Sequence, residues 1–336
     1  MTAIHGLRLT VLAPLSFSIV LAVLVVQKFT PSDAKDFRLG IVILALAQSF
    51  MAGIEFVFSG EPALWGYGRY ANGSEVMLSN PFLGDEVVRT QGTLGHPIVL
   101  ATLLVVALLI VALGNDIRPM VIRVGIASIL AISIVLTGTR SAILALVISI
   151  VIVKVFRRNA QNRWRNIVVV GSISCAVLFF DFGLRALWNN LERSGSYTNR
   201  LGSLQAVPDI FGLPISRIFL GGGFGSESQL YRQGLLQQNG FGIVDNQIVT
   251  TMVTGGLFGL MMLFSVLVFA YRKADQLHMA ILTSLVIMMF SFDFLKWPTT
   301  SLIFFVFCAM AVIERSPHTL LASVDPKERN ENTKVR

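Results

Sequence analysis

Hydrophobic residues in this chain gather in unbroken blocks. They do not form the one-sided stripes, recurring every three or four residues, of a surface helix. Nine blocks stand out, at 9–27, 39–58, 97–113, 120–136, 141–156, 166–182, 246–270, 277–293 and 298–313. A bilayer core asks for roughly 20 apolar residues per helix. Backbone groups in lipid must bond within their own segment, so blocks of this length predict helices and not barrel strands. The pattern predicts an all-α integral membrane protein, a polytopic bundle of nine transmembrane helices in one membrane domain over residues 1–315.

The polar intervals differ in kind. Residues 59–95 form a medium loop rich in Gly, Asn and Ser, and 157–165 (RRNAQNRWR) a basic turn. From Ser316 to the end at residue 336 the chain is polar, and a disordered tail is expected there. Residues 182–245 are a long loop, and structureless loops of that length are uncommon and usually functional. The loop has apolar stretches of its own, such as 201–220 (LGSLQAVPDIFGLPISRIFL). There Leu201, Leu204 and Val207 keep helical spacing until Pro208 and Pro214 break it. Short helices lying at the membrane surface are expected.

Composition agrees with the blocks: 54% of the 336 residues are hydrophobic and 14% charged, against about a quarter charged in soluble domains. The net charge of +8 could point to nucleic acid, but topology accounts for it better, and no nucleic-acid partner is expected. Seventeen Lys and Arg fall in one set of alternating intervals and five in the other, with the long loop left out of the count. The positive-inside bias therefore puts Lys28, Arg38, Arg118, Arg123, the basic turn, Arg272 and the tail in the cytoplasm. It puts the long loop outside. The first block follows Arg8 as a signal sequence would, but no small-residue cleavage site precedes Lys28, so it reads as a helix. Cys175 and Cys308 each lie inside an apolar block and read as packing residues, not as a disulfide or a thiolate metal site.

On this topology several polar residues share one depth at the outer face. Arg89 and His96 precede the third block, Arg140 sits in the tight turn TGTRS, Arg200 opens the apolar stretch of the long loop, Asp245 and Asn246 open the seventh block, and Asp293 and Lys296 close the eighth. An arginine in so short a turn either snorkels to headgroups or has an anionic partner. Three arginines at one depth suit a phosphate-bearing ligand, because guanidinium forks match phosphate oxygens in pairs. His96 reads as a hydrogen-bonding group before Pro97, with no second His or Cys nearby to make a metal site. Asp245 is either an N-cap shared with Asn246 or a general base. Asp293 and Lys296, at i and i+3, should pair. GGGFG at 221–225 lacks the Lys-Ser/Thr that completes a phosphate loop and reads as a flexible turn.

Four segments in order, 89–101 (RTQGTLGHPIVLA), 136–145 (LTGTRSAILA), 200–225 (RLGSL through GGGFG) and 245–260 (DNQIVTTMVTGGLFGL), resemble the O-antigen ligase/polymerase superfamily of bacterial envelope glycosyltransferases. The resemblance implies a type C glycosyltransferase fold, all-helical with a large periplasmic loop over the active site in the inner membrane. It implies an undecaprenyl-diphosphate-linked glycan as donor, membrane lipids around it, and no nucleotide sugar, divalent metal or other cofactor. Arg89, Arg140 and Arg200 would hold the diphosphate, and Arg200 with Leu204 keeps an Arg-x-x-x-Leu pattern. Asp245, or failing it His96, would take the proton from the attacking hydroxyl. Ligases carry a histidine where this chain has Asp245, which favours a polymerase of repeat units over transfer to lipid A–core. Family members also have more helices before the first segment than the two found here. A chain-length regulator and a flippase would be natural partners. A transporter of the same lipid-linked sugar is the competing reading, and transporters place polar groups near the bilayer midplane.

Overall fold

A computed structural model describes residues 2–58, 78–155, 202–236 and 244–313. The expected helix at 166–182, Arg200, Cys175 and the tail lie outside the described residues. What is described is helical apart from one small hairpin. The elements are α1 (Thr2–Lys28), α2 (Pro31–Val57), β1 (Ser79–Asn80) and β2 (Gly84–Val88), then α3 (Pro97–Leu113), α4 (Met120–Leu136) and α5 (Arg140–Val155). In the long loop follow α6 (Val207–Phe211), α7 (Ile215–Leu220) and α8 (Glu227–Arg232). The chain closes with α9 (Gln247–Lys273), α10 (Gln276–Met289), a 3-10 turn (Phe294–Lys296) and α11 (Pro298–Ile313).

Eight of the nine apolar blocks coincide with these helices. By length and composition, two described helices, Ser32–Val57 and Gln247–Lys273, qualify as membrane spans on their own. Leu12–Lys28 within α1, α3, α4, α10 and α11 are shorter apolar stretches of 10–17 residues, about 25 Å at most at 1.5 Å per residue, against a hydrocarbon core of about 30 Å. The eighth block ends early: α10 stops at Met289, and Phe290 and Ser291 turn the chain before Asp293.

The centre is α3. Fifteen of its seventeen residues are buried, so the segment most uniformly apolar in sequence is the one surrounded on all sides. Ala45 and Ala52 of α2, Leu130 and Ile134 of α4, Ala142 and Ala145 of α5, Ile281 and Leu285 of α10, and Phe304 and Phe307 of α11 complete its core. Small residues on α2 and α5 let those helices approach closely. Among the described helices the most extensive pairing is α1 with α11, where Ser18 and Ser301 share a buried hydrogen bond of 3.2 Å. The outward faces are apolar: Phe50, Val121, Ile132, Phe258, Met262 and Phe269 are exposed. A soluble monomer rarely shows so much contiguous apolar surface.

The long loop folds onto α9. Ala206, Ile210, Leu230 and Leu236 pack against Val249, Met252 and Val253. The proline expectation needs a correction. Pro208 lies in the first turn of α6, where its missing N–H costs nothing, and so starts a helix; Pro214 is the N-cap of α7. The apolar residues Ile215, Phe219 and Leu220 of α7 face outward, as a helix resting on a membrane surface requires.

The glycines at 221–225 also correct the sequence reading. They are an anchored turn. Helix α9 breaks at Gly256, which has φ 64° and ψ −162°. The break frees the carbonyls of Val253 and Thr254, which accept from Gly222 N at 2.8 Å and Gly223 N at 2.9 Å. Side chains are excluded on both partners. A Cβ on Gly221 would stand 2.4 Å from Thr254 O, and one on Gly256 would stand 2.4 Å from Phe219 O.

Candidate functional site at the loop end of the bundle

One end of the bundle collects Arg89, His96, Arg140, Asp245, Asn246, Asp293 and Lys296 of the residues singled out above; Arg200 lies outside the described residues. The segment before α3 is held there by buried polar groups of α2. Glu55 accepts from Gln91 N at 2.8 Å and Gly92 N at 3.0 Å. Gln48 binds Thr93 twice: its Oε1 accepts from Thr93 N at 2.9 Å and its Nε2 donates to Thr93 Oγ1 at 2.7 Å. Sequence reasoning does not single out either residue. The signal for Glu55 was a carboxylate near the end of an otherwise uncharged block; a backbone partner leaves no mark in sequence.

The same segment caps α4. A helix ends with carbonyls that have no partner within it. Here Asn80 Nδ2 donates to Val135 O and Leu136 O at 3.0 and 2.9 Å, and Thr90 N donates to Leu136 O at 3.2 Å. Arg89 Nε donates to Thr137 O at 2.7 Å and its guanidinium also reaches Thr139 Oγ1 at 2.9 Å. Gly138 permits this approach. Its φ is 61°, and a Cβ there would stand 2.8 to 3.1 Å from Pro81, Arg89 and Asn80. The β1–β2 hairpin, unforeseen in sequence, exists to bring Asn80 and Arg89 to this turn.

Arg140 follows directly as the first residue of α5. It is half-buried, and its side chain makes no hydrogen bond or ion pair with the described residues. The hydroxyls of Thr90 and Ser141 beside it are buried and also lack a partner among the described residues. The structure thus brings Arg89 and Arg140 to one turn, the first bonded to Thr137 and Thr139 just ahead of the second. The N-terminal end of α5, with its positive partial charge, adds to the field there.

His96 caps α3, its Nδ1 accepting from Ile98 N at 3.2 Å. With Nδ1 occupied as acceptor, the neutral ring carries its proton on Nε2. Burial, with the nearby Arg89 charge as a second cause, pulls its pKa from 6.5 down to about 4. The ring lies 5.4 Å from that of Trp297. At neutral pH His96 therefore offers a donor and not a strong base.

Trp297 leads to a second cluster. Its Nε1 donates to Asp293 Oδ1 at 3.3 Å. Lys296 pairs with Asp293 at 3.3 Å, as its spacing suggested, and more closely with Glu227 of the long loop at 2.9 Å. Two carboxylates share one ammonium. Burial raises the Asp293 carboxyl above its usual value despite Lys296. Burial would lower Lys296, but Asp293 and Glu227 raise it. The long loop is thereby tied by charge to the α10–α11 connection.

Asp245 and Asn246 open α9 beside this cluster. Asn246 is the N-cap, its Oδ1 accepting from Ile248 N at 2.9 Å and Val249 N at 3.3 Å. Asp245 precedes it, half-buried and outside the cap. Gln247 Oε1 accepts from Leu295 N at 2.7 Å, which joins α9 to the turn bearing Lys296. These bonds run from Glu55 through the Arg89 segment and His96 to Trp297, Lys296 and the loop.

Among known families, residues 125–264 match the model described as O-antigen ligase. The matched segment contains Arg140, Asp245 and Asn246 and supports the O-antigen ligase/polymerase superfamily. No curated protein matches the chain. The family is bacterial, membrane-bound and glycosyltransferase-like, and it implies lipid-linked glycan substrates.

Proposed function

From its place in the O-antigen ligase/polymerase superfamily, we propose that this protein polymerises undecaprenyl-diphosphate-linked oligosaccharide repeat units into a surface polysaccharide at the outer face of the bacterial inner membrane. The observation that carries the reading is the α4–α5 turn. Arg140 stands there without a partner among the described residues, at the N-terminal end of a helix, with Arg89 pinned beside it. An unpaired guanidinium beside a second one held in place suits a diphosphate.

Breaking the sugar–phosphate bond leaves charge on the departing diphosphate. Arg140, supported by Arg89 and by Arg200 from the loop, would stabilise that charge without reorganising. These arginines supply the cationic charge, so the mechanism calls on no divalent ion. The acceptor hydroxyl loses its proton to Asp245 as it attacks the anomeric carbon, and a single displacement inverts that centre. The neutral His96, with Nε2–H free to donate, suits binding of a phosphate or hydroxyl oxygen better than proton removal.

Transfer to lipid A–core is the second reading, favoured by the description of the matching family. Asp245, where ligases carry histidine, favours the polymerase. The transport reading is weaker, since Thr90, Ser141, Asn246 and Thr250, whose buried side chains lack a partner among the described residues, stand at the loop end and not at mid-membrane. Deletion in the native host decides. Polymer reduced to a single attached repeat unit is the expected outcome, loss of all attachment to lipid A–core would make the protein a ligase, and an unchanged surface glycan would remove both readings.

A further inference from the structure

Two buried side-chain groups on the first turns of α9 lack a partner among the described residues: Asn246 Nδ2 and Thr250 Oγ1. Their residues are 1% and 3% exposed. Buried polar atoms in native proteins are paired in the great majority, so two orphans four residues apart need a reason.

Their surroundings follow from the helix itself. Residues advance about 100° each along an α-helix, so Val253 and Gln247 stand about 120° apart around α9, with Asn246 and Thr250 between them. The Val253 carbonyl accepts from Gly222 N and from Ser226 Oγ, at 2.8 and 3.3 Å. Gln247 accepts from Leu295 N. Glu227 follows Ser226 and Lys296 follows Leu295 in sequence, and those two residues form the 2.9 Å ion pair. The pair therefore joins the two segments that bond α9 on either side of Asn246 and Thr250, the long loop at Val253 and the α10–α11 connection at Gln247.

We infer that this buried face is a binding subsite for a sugar hydroxyl of the glycan, with Asn246 Nδ2 donating to its oxygen and Thr250 Oγ1 completing the pair of bonds. This rests on the glycan-transfer reading above and deepens it. The chemistry selects a neutral, two-way partner. An amide N–H only donates and a threonine hydroxyl does both, which suits a group that itself donates and accepts. A phosphate is disfavoured, because Glu227 and Asp293 outnumber Lys296 and leave the neighbourhood negative. The loop end is then divided. Arginines at the α4–α5 turn take the anionic carrier, and the start of α9 takes sugar.

An ordered water has the same hydrogen-bonding chemistry, so the test must separate it from a sugar hydroxyl. Asn246→Asp keeps the capping oxygen and removes the Nδ2 donor. Thr250→Val removes the hydroxyl at nearly constant volume. Wild type and both variants are reconstituted in nanodiscs with the lipid-linked oligosaccharide extracted from the deletion strain. Kd, KM, kcat and melting temperature are then measured. The expected result is a rise of about tenfold in Kd and KM in each variant, the size of one lost hydrogen bond, with kcat little changed. Unchanged Kd and KM with a lowered melting temperature would mean structural water and overturn the subsite alone. Wild-type binding that the variants lose, without turnover by wild type, would keep the subsite and remove the polymerase. No binding by wild type would remove both.

Discussion

Each end of the bundle closes a helix with an arginine, and the two arginines stand in unlike company. At the end away from the loop, Arg123 donates to the carbonyls of Val111 and Ala112 and so caps α3. Around it stand paired groups: Arg38 forks onto Asp116 at 2.7 and 3.2 Å, His278 bonds Asp275 at 2.8 Å, and Thr30 and Asp33 form a capping box. At the loop end, Arg89 caps α4 in the same manner. Yet Arg140, Thr90, Ser141, Asn246 and Thr250 beside it or across from it have no partner among the described residues. One end uses its polar groups to finish the fold. The other finishes the fold and has donors left over, which is what a binding site requires.

The contrast can be broken by mutation. Arg140→Ala should lower transfer by about a thousandfold, the upper range for losing one preorganised charge-stabilising donor, with the melting temperature unchanged. The check is turnover of extracted lipid-linked oligosaccharide alongside thermal unfolding in detergent. A comparable rate from this variant would place the leftover donors outside the chemistry. Asp116→Ala should do the reverse. It removes the fork that holds the largely buried Arg38 and costs about 3 kcal/mol of stability, seen as a lowered unfolding midpoint with KM for the same substrate unchanged.

A smaller effect comes from pH. His96 titrates at about 4 in the folded protein instead of 6.5, so the unfolded chain binds the extra proton between those values. The stability due to neutral His96 is complete above pH 6.5 and falls as pH drops toward 4, by at most about 3 kcal/mol. His96→Asn keeps a cap acceptor and should flatten that slope in unfolding midpoints measured from pH 7.5 to 4.5. An equal slope in the variant would trace the effect to another group.

Much of the frame was legible in sequence, because lipid demands uniform apolar blocks and proline and glycine mark their ends. The blocks at 97–113 and 120–136 coincide with α3 and α4, bounded by Pro97 and by the Thr137–Gly138 turn. The arginine turn was legible too, since a charge between two adjacent spans is conspicuous. What the sequence hid were bonds whose second partner is backbone. Glu55 to Gln91 N, Arg89 to Thr137 O, and Gly222 to Val253 O have no residue pattern on the receiving side. The role of Asn80 was hidden for the same reason, and with it the hairpin. Sequence leaves Asp245 as either a cap shared with Asn246 or a general base, and geometry gives the cap to Asn246.

The break in α9 also bears on how the protein is made. An unbroken span satisfies its own backbone as soon as it enters lipid. This one does not, because Val253 O and Thr254 O receive their protons from Gly222 and Gly223, residues that precede the span and lie in the long loop. The seventh apolar block can be threaded into the bilayer early, but it stays incomplete until the loop has folded down upon it. With the loop on the outer side, as proposed, its export would be a step in the biogenesis of the membrane domain itself, and a loop held on the other side would leave a span with two bare carbonyls.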